Sequence, residues 1–358
     1  MSREKTVSAR FAYMDVLRII GCILVMWLHM ATLDDKFFSV AGVEWKVMNF
    51  MDSIGMTGIA FFYMISGALF LRKDSKLTNR YVWKKVGMLF VVYVVSLIIY
   101  NIIPFVRGWE PWEWYYISID LIGNVLKGIG IYHLWFPPSL MMLYLLSPIL
   151  KDAFAEKKSC EYFLTLFAVF GVTIPLLLRL DIPYKDILQS IQFRFGQEWF
   201  LGHLGYFVLG HYLHEFVGKL DKKKSVLAVV TAIGAVAFTM VVNHADAVAK
   251  NGFSTKANSP LTLNGFLFVL CVFLLVKSWT PMELSEKKAK VLRYVAGLTF
   301  GIYLVHPLVM SQLMTLIPWN EAFGVFVVKV VVRFLFVLMM SALITAVLKC
   351  IPGIKRFL

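Results

Sequence analysis

The sequence predicts an all-α, polytopic membrane helix bundle of about ten transmembrane helices, with both termini in the cytoplasm. The first observation is composition: 59% of the 358 residues are hydrophobic and 16% are charged, whereas a soluble domain averages about 25% charged residues. The second is arrangement, because the apolar residues form runs long enough to cross a bilayer. We therefore expect a membrane protein rather than a soluble protein with a large core.

Ten apolar runs are interpreted as transmembrane helices. The first follows a basic start, as a signal peptide would, but it is too long and lacks a small-x-small cleavage site, so we expect it to be retained. Residues 1–358 are expected to form a single membrane domain with no attached soluble domain. The ten predicted spans are 11–33, 47–71, 82–106, 131–150, 161–180, 199–217, 225–243, 262–278, 292–315 and 322–348.

Lys and Arg are distributed unequally between the two sides of these spans. Of the 36 Lys and Arg residues, 24 lie in segments on the side of the N-terminus and 9 lie on the other side. Cytoplasmic loops carry the excess of positive charge, so both termini are predicted to be cytoplasmic. The net charge of +14 has the same origin, since no basic cluster with interleaved aromatic residues indicates nucleic-acid binding. Membrane lipids are the partners expected from this pattern.

The first span contains three ionisable residues, Asp15, Arg18 and His29. Arg18 and His29 are eleven residues apart, which on an α-helix is three turns plus about 20°, so they share one stripe and lie about 16 Å apart along the axis. Asp15 lies on the same stripe. Such groups usually face a bundle interior or a wet cavity and mark function. The structural alternative is that Arg18 snorkels to the inner interface while His29 lies near the outer one.

Four further residues are candidates for substrate contacts or for lining a tunnel. His133 and Trp135 lie at the outer start of span four, His306 precedes Pro307 in span nine, and Arg333 lies near the middle of span ten. Pro307 frees backbone carbonyl groups near His306, which is common where a helix bends around a cavity. Arg333 either faces a polar interior or pairs with an acidic group elsewhere in the bundle.

No metal site is expected from the sequence. His203, His211 and His214 are scattered along one helix and cannot ligate one ion together. The four cysteines lie within spans or at their inner edges, which indicates neither an outer-loop disulfide nor a CxxC metal site. In the second span, Gly67 indicates close packing against another helix.

Three segments between the spans are candidates for ligand contacts. The inner segment 72–85 is strongly basic and would bind either anionic lipid or the phosphates of a cytosolic cofactor. The outer segment 107–130 is rich in Trp and Tyr, which form an interfacial belt or stack on a sugar ring. The outer segment 181–198 mixes acidic, amide and basic side chains, which suits a hydroxyl-rich acceptor.

Five motifs, in order along the chain, resemble those of the acyltransferase 3 family of integral membrane acyltransferases. They are MDVLRIIGCILVMWLH with its Arg-x10-His pair, FFYMISGALF, YHLWFPPSLMMLYLLSPIL, YFVLGHYL and TFGIYLVHPLV. The resemblance covers most of the chain, from Tyr13 to Leu348. Within the family, the pattern is most similar to the O-acetyltransferase of enterobacterial common antigen, the poly-N-acetylglucosamine succinyltransferases and the membrane domain of serine racemases.

The resemblance implies transfer of an acyl group, usually acetyl, from cytoplasmic acyl-CoA as donor substrate to a hydroxyl of an extracytoplasmic or lipid-linked glycan. It implies that His29 is the catalytic residue and Arg18 its partner. Many members also carry an Arg-x-x-Arg motif at the start of the third span. Lys85 matches its first Arg, Met88 replaces the second, and the nearby Arg80 and Lys84 are expected to compensate as acyl-CoA contacts.

These roles predict that His29 acts as general base on the acceptor hydroxyl or takes the acyl group transiently. Arg18, oriented by Asp15, would hold an anionic part of acyl-CoA or stabilise the oxyanion, with Arg18 and His29 facing one hydrated tunnel. The expected location is the bacterial inner membrane, and a homo-oligomer is compatible with the sequence. Two other function classes stay open: a small-molecule or serine permease, which intramembrane Arg333 also fits, and a lipid-binding scaffold.

Overall fold

Apolar segments of this length fold into helices because the bilayer core offers no water to bond their backbone polar groups. The computed structural model describes residues 6–8, 11–31, 39–108, 111–128, 133–179, 182–194, 202–281, 283–316 and 326–357. Helices predominate in these residues, so the predicted all-α fold class is confirmed.

The helices of the described residues are numbered in chain order. In the first half of the chain they are α1 (Ala12–Ala31), α2 (Val43–Gly55), α3 (Gly58–Phe70), α4 (Asn79–Val106), α5 (Trp114–Tyr116), α6 (Gly123–Lys127), α7 (Phe136–Ala153) and α8 (Lys157–Leu166). In the second half they are α9 (Ile174–Leu177), α10 (Lys185–Arg194), α11 (Leu204–Glu215), α12 (Lys222–Lys250), α13 (Leu263–Trp279), α14 (Glu286–Leu316) and α15 (Phe326–Cys350). Two π-helical stretches, Ile117–Ile122 and Phe167–Thr173, lie between α5 and α6 and between α8 and α9.

Seven helical segments of the described chain are long and apolar enough to cross a membrane. The other three predicted spans correspond to α7, α11 and α13, which are shorter or less apolar. The number of about ten spans and the cytoplasmic position of the termini therefore stay predictions. The seven segments are Ala12–Ala31, Val43–Phe70, Asn79–Val106, Lys157–Leu177, Lys222–Lys250, Glu286–Gln312 and Phe326–Cys350.

The second predicted span consists of two helices, α2 and α3, separated by Met56 and Thr57. Glycines on both sides of the break allow it to approach α1 closely. A Cβ atom at Gly55 would collide with the backbone of Leu28, and one at Gly58 would collide with the Gly21 carbonyl. Because α1 is fixed against this break, the position of its C-terminal half depends on α2.

The chain divides into two compact units, one formed mainly by residues 1–69 and 157–356 and the other by residues 70–156. In the second unit, α4 packs against α7, and the Phe70 ring stacks on Tyr144 with centroids 4.1 Å apart. Lys151 Nζ donates a hydrogen bond to the Ser75 carbonyl at 2.7 Å. These contacts join the first residues of this unit to its last helix.

In the first unit, α15 packs antiparallel to α14. Lys349 Nζ donates a hydrogen bond to the Gly297 carbonyl at 2.6 Å, and the Thr345 side chain lies against Gly301. Side chains of α1, α14 and α15 form an apolar core that includes Met26, Met30, Ile302, Met310 and Val337. This core surrounds the residues that carry the candidate site.

A two-stranded antiparallel ribbon precedes α1 and α14. Strand β1 (Thr6–Ser8) pairs with β2 (Glu283–Ser285), with Val7 opposite Leu284. Because α1 and α14 each follow one of these strands closely, the ribbon holds their first turns side by side.

Candidate functional site

Helices α1 and α14 run parallel and face each other along one stripe. Cys22 Sγ donates a hydrogen bond to the Thr299 carbonyl at 3.7 Å. Seven residues further along each helix, His29 Nδ1 and His306 Nε2 are 2.7 Å apart. Equal steps on both helices mean that the stripe of α1 carrying His29 is the stripe that packs against α14.

At the other end of this stripe, Arg18 and Asp15 form an ion pair. Arg18 Nη1 donates to Asp15 Oδ1 at 2.5 Å, with side-chain exposures of 33% for Arg18 and 15% for Asp15. This is the geometry expected if Asp15 orients Arg18.

Between the level of Arg18 and the level of His29, α1 packs against α14 without a gap. Cys22 is 3% exposed and Met26 is fully buried. A donor molecule therefore cannot pass between α1 and α14 at the level of Cys22. The tunnel predicted to join Arg18 and His29 stays a prediction, and it would have to run beside this helix contact rather than through it.

The two histidine rings form a parallel, buried pair. Their planes are within 5° of parallel and their centroids are 5.0 Å apart. His29 is 8% exposed and His306 is 0% exposed, so His29 is the more accessible ring of the pair. The sequence indicated both residues separately, and the structure brings them into contact.

Hydrogen bonding defines the tautomers of the neutral pair. His306 Nδ1 lies 3.1 Å from the Ile302 carbonyl, and a carbonyl oxygen only accepts, so Nδ1 of His306 carries the proton. Its Nε2 is then an acceptor, and His29 Nδ1 must donate to it. The remaining ring nitrogen of His29, Nε2, therefore carries a lone pair, which is what a general base or nucleophile requires.

Pro307 stands next to this pair without interrupting the helix. α14 continues from Glu286 to Leu316 through Pro307, and the bend that the sequence suggested there stays a prediction. A proline has no N–H to bond the carbonyl four residues earlier, which here belongs to Tyr303. Tyr303 precedes His306 by three residues, so the missing backbone bond lies within one helical turn of the buried histidine.

Arg333 lies on the buried face of α15 and is 7% exposed. In the antiparallel packing of α14 and α15, Thr345 faces Gly301. Counting back from that contact, His306 is level with a position of α15 about five residues before Thr345. Arg333 lies about seven residues, or ~10 Å, nearer the start of α15 than that position. The structure thus places Arg333 in the bundle interior but not beside the histidine pair.

His133 and Trp135 precede α7 in the second unit. His133 is 2% exposed and meets the Tyr100 ring edge to face, with centroids 5.2 Å apart. Trp135 is 51% exposed. Prolines occupy the first turn of α7, where their missing N–H groups cost nothing, so the helix begins at Phe136 rather than at the predicted residue 131.

The predicted acyl-CoA contacts Arg80, Lys84 and Lys85 lie in the first two turns of α4 and are exposed. The Thr78 side chain caps this helix by accepting a hydrogen bond from the backbone N–H of Tyr81, and the first turn contains no acidic residue. Cations at a helix N-terminus are unfavourable because they repel the positive end of the dipole. An anion bound at this end of α4 is attracted both by the cationic side chains and by the positive end of the helix dipole.

Sequence reasoning missed a buried polar network between α2, α12 and the segment after α12. Asn243 Nδ2 donates to Asn258 Oδ1 at 2.7 Å and to Asn49 Oδ1 at 3.2 Å, while Asn258 donates to the Asp52 carboxylate. Asp52 is 4% exposed and Asn243 is 0% exposed. The signal was present, because Asn and Asp within apolar spans are costly unless they are bonded.

The remaining histidines of the sixth predicted span make separate contacts. His203 stacks on Tyr63, and His214 Nδ1 lies 2.7 Å from the Tyr13 hydroxyl. Within the described residues, no group of three His, Cys, Asp or Glu side chains is arranged to hold a metal ion. Within the described residues, the four cysteines form no disulfide.

Comparison with known proteins identifies a family. A family model of the acyltransferase 3 type, described as an acyltransferase domain, matches residues 11–350. No curated protein and no solved structure matched the chain significantly.

Proposed function

The chain belongs to the acyltransferase 3 family, and from this premise we propose that it transfers an acyl group, such as acetyl, from cytoplasmic acyl-CoA to a hydroxyl of an extracytoplasmic or lipid-linked glycan. Membership of the family and the apolar helices support a membrane acyltransferase. The observation that carries the proposal is the hydrogen bond between His29 and His306, because it leaves a basic nitrogen on the more accessible ring.

The proposed reaction uses His29 as general base. His29 Nε2 takes the proton of the acceptor hydroxyl while the hydroxyl oxygen attacks the thioester carbonyl carbon. The carbon–sulfur bond then breaks, and the CoA thiolate leaves and receives that proton from His29. His306 accepts a hydrogen bond from His29 Nδ1 throughout, so it stabilises the positive charge that His29 carries between the two proton transfers.

A covalent variant uses the same atom. His29 Nε2 attacks the thioester carbonyl carbon, the carbon–sulfur bond breaks and CoA leaves as the thiolate. The acyl group is carried on the imidazole until the acceptor hydroxyl oxygen displaces it, and the hydroxyl proton passes to the CoA thiolate. The His29–His306 hydrogen bond supports both variants equally, because each requires a lone pair at Nε2. Detection of an acyl-histidine after incubation with acyl-CoA alone would distinguish them.

Two basic groups are proposed to bind the donor. Arg18, held by Asp15, would contact an anionic part of acyl-CoA or the oxyanion of the transition state. The exposed Arg80, Lys84 and Lys85 at the start of α4 would bind CoA phosphates, since a helix N-terminus without acidic residues favours anions.

Three residues remain proposed acceptor contacts. The exposed Trp135 offers an aromatic face to a sugar ring, while His133 and Arg333 offer hydrogen-bond donors. The bacterial inner membrane is the proposed location, because the donor is cytoplasmic and the acceptor lies outside.

The experiment is an acyl-transfer assay on membrane vesicles that carry the chain and its native acceptors, supplied with radiolabelled acetyl-CoA. We expect labelled glycan and equimolar free CoA from the wild type and neither from His29→Ala. His244→Gln is the matched control, because His244 lies in α12 and contacts the Trp45 ring. Transfer by His29→Ala at the wild-type rate contradicts the proposal. Serine uptake into the same vesicles without acetyl-CoA consumption would favour the permease instead.

A further inference from the structure

A polar pocket of about 410 Å³ opens beside the C-terminal end of α12. Its volume falls within the roughly 300–1,000 Å³ range of small-molecule sites. All of its lining residues belong to the first unit. They include Arg179, Lys185, Asp246, Lys250, Phe253 and Lys256.

The pocket is positively charged although it lies on the side of the predicted spans that carries fewer Lys and Arg residues. Among the residues that the structure describes, the lining contains four cations and one carboxylate, hence three net positive charges. In the predicted orientation this is the outer side, where loops are depleted of Lys and Arg. Four of the nine predicted outer cations nevertheless converge here, from positions as much as 77 residues apart. Topology does not explain such a cluster, whereas an anionic ligand does.

Hydrogen bonds hold the walls of the pocket in place. Asp246 accepts from Ser254 Oγ at 2.6 Å and from Lys250 Nζ at 2.7 Å. Arg179 Nη1 donates to the backbone carbonyls of Thr255 at 3.1 Å and of Lys256 at 2.8 Å. The Arg179 guanidinium therefore joins the end of α9 to the segment after α12, and the pocket is preformed rather than assembled by loose side chains.

The lysines are placed to exchange partners with a ligand. Lys250 pairs with Asp246 but is 63% exposed, and exposed pairs contribute little. Lys256 lies 3.5 Å from the same carboxylate and is 27% exposed. Lys185 lines the same pocket, and the excess of positive charge is suited to a carboxylate or phosphate.

The other lining groups fit a sugar. Phe253 is 39% exposed and offers an apolar ring face to the C–H face of a pyranose. Asp246, 9% exposed, offers carboxylate oxygens that accept from sugar hydroxyls. An anionic sugar satisfies both the charge and these two features, whereas a free inorganic anion would leave Phe253 without a role.

The pocket is linked to the helices that carry the histidine pair. The backbone N–H of Ala257, next to Lys256, donates to Asn243 Oδ1 at 2.8 Å, and Asn258 donates to Asp52 on α2. α2 in turn packs through Gly55 against the backbone of Leu28, adjacent to His29. We propose that this pocket binds an anionic sugar, bearing a carboxylate or a phosphate, of the acceptor glycan. The proposal rests on the proposed function for its acceptor, and the binding itself can be measured without acyl transfer.

The test is binding to the full chain in nanodiscs of neutral lipid, without acyl-CoA. The probes are trigalacturonic acid, its methyl ester, which keeps the rings but removes the charge, and a glycerol phosphate trimer. We expect at least one anionic probe to bind about tenfold or more tightly than the methyl ester, and to weaken as salt is raised. Preference between the two anionic probes identifies carboxylate or phosphate as the recognised group.

The triple variant Lys185→Gln, Lys250→Gln, Lys256→Gln is expected to lose at least about tenfold in affinity for the preferred anionic probe. The matched control neutralises two lysines that do not line the pocket, Lys46→Gln and Lys127→Gln, and should bind as the wild type does. Equal thermal unfolding midpoints of the variants exclude misfolding as the cause. Equal binding of charged and uncharged probes, absence of binding, or an unchanged triple variant each overturns the inference. Because His29→Ala is tested for acyl transfer and not for binding, failure of one proposal is distinguishable from failure of the other.

Discussion

His29 Nδ1 lies 2.7 Å from His306 Nε2, with the two imidazole planes within 5° of parallel. The bond to the Ile302 carbonyl fixes the proton on the far nitrogen of His306, and this in turn fixes the proton on the near nitrogen of His29. A buried second ring therefore sets the protonation of the ring that we propose as the general base. Substitution of His306 should thus change the chemistry of His29 without removing a substrate contact.

We expect His306→Gln to lower kcat for acyl transfer by about 10–100-fold, with KM for acyl-CoA nearly unchanged. The reason is that His306 acts through His29, as a positioning residue. Steady-state kinetics between pH 5 and 9 measures this. The acid limb of the profile should move because the glutamine amide oxygen is a less basic acceptor than imidazole for the His29 Nδ1–H. His244→Gln should match the wild type. An unchanged kcat and pH profile in a folded His306→Gln protein would show that the pair has no catalytic role.

Neutralising the start of α4 should weaken donor binding. The triple variant Arg80→Gln, Lys84→Gln, Lys85→Gln is expected to raise KM for acetyl-CoA about tenfold or more, with kcat little changed, because charge-assisted bonds to the phosphates are lost.

The control for this variant is Lys222→Gln, Lys223→Gln, Lys224→Gln at the start of α12. It removes the same number of charges from a helix N-terminus that already has an acidic cap, since Asp221 accepts a hydrogen bond from the backbone N–H of Lys224. If both triple variants raise KM equally, the effect is one of general surface charge, and the specific role of α4 is wrong.

Close helix packing at Gly67 should make this position intolerant of any side chain. A Cβ atom at Gly67 would collide with the Phe207 carbonyl, as the sequence predicted for a helix contact. We expect Gly67→Ala to destabilise the protein by about 1–3 kcal/mol or more. Gly234→Ala is the comparison, because a Cβ there meets nothing within 4 Å and should be neutral or stabilising by up to about 1 kcal/mol. Thermal unfolding in detergent measures both, and equal midpoints would contradict this account.

The buried amide network should contribute strongly to stability. Asn243→Ala removes the acceptor of the Ala257 N–H and a donor to Asn258, and each buried polar group left unsatisfied costs about 1–3 kcal/mol. Asn101→Ala is milder, because Asn101 Nδ2 makes a single-turn bond to the Leu97 carbonyl in a partly buried position. Chemical denaturation should show a clearly larger loss for Asn243→Ala. Comparable losses would mean that the network is not a special source of stability.

Much of the fold was predictable because helix formation in a bilayer depends on local sequence. The apolar run around Arg18 and His29 became α1 (Ala12–Ala31), close to the predicted 11–33. The family was also correctly identified from short motifs, and the match to residues 11–350 confirms it. The division of span two into α2 and α3 was not predicted, since the break depends on contacts of Gly55 and Gly58 with α1.

The sequence predicted which residues belong to the candidate site, but not how they are arranged in space. Helical spacing placed Asp15, Arg18 and His29 on one stripe, and the structure adds the ion pair between the first two. Helical spacing could not indicate that, at the level of Cys22, this stripe packs closely against α14. Nor could helical spacing indicate that four cations from distant segments would line one pocket.

By itself, the sequence determined that this is a helical membrane protein of the acyltransferase 3 family and that His29 and Arg18 share one face of its first helix. These properties follow from hydropathy and from the helical repeat, which act over a few residues. Only the tertiary structure decided that His29 pairs with His306, which is 277 positions away. That pairing depends on which stripes of α1 and α14 pack together, and close packing between helices is a property of the whole bundle rather than of either segment.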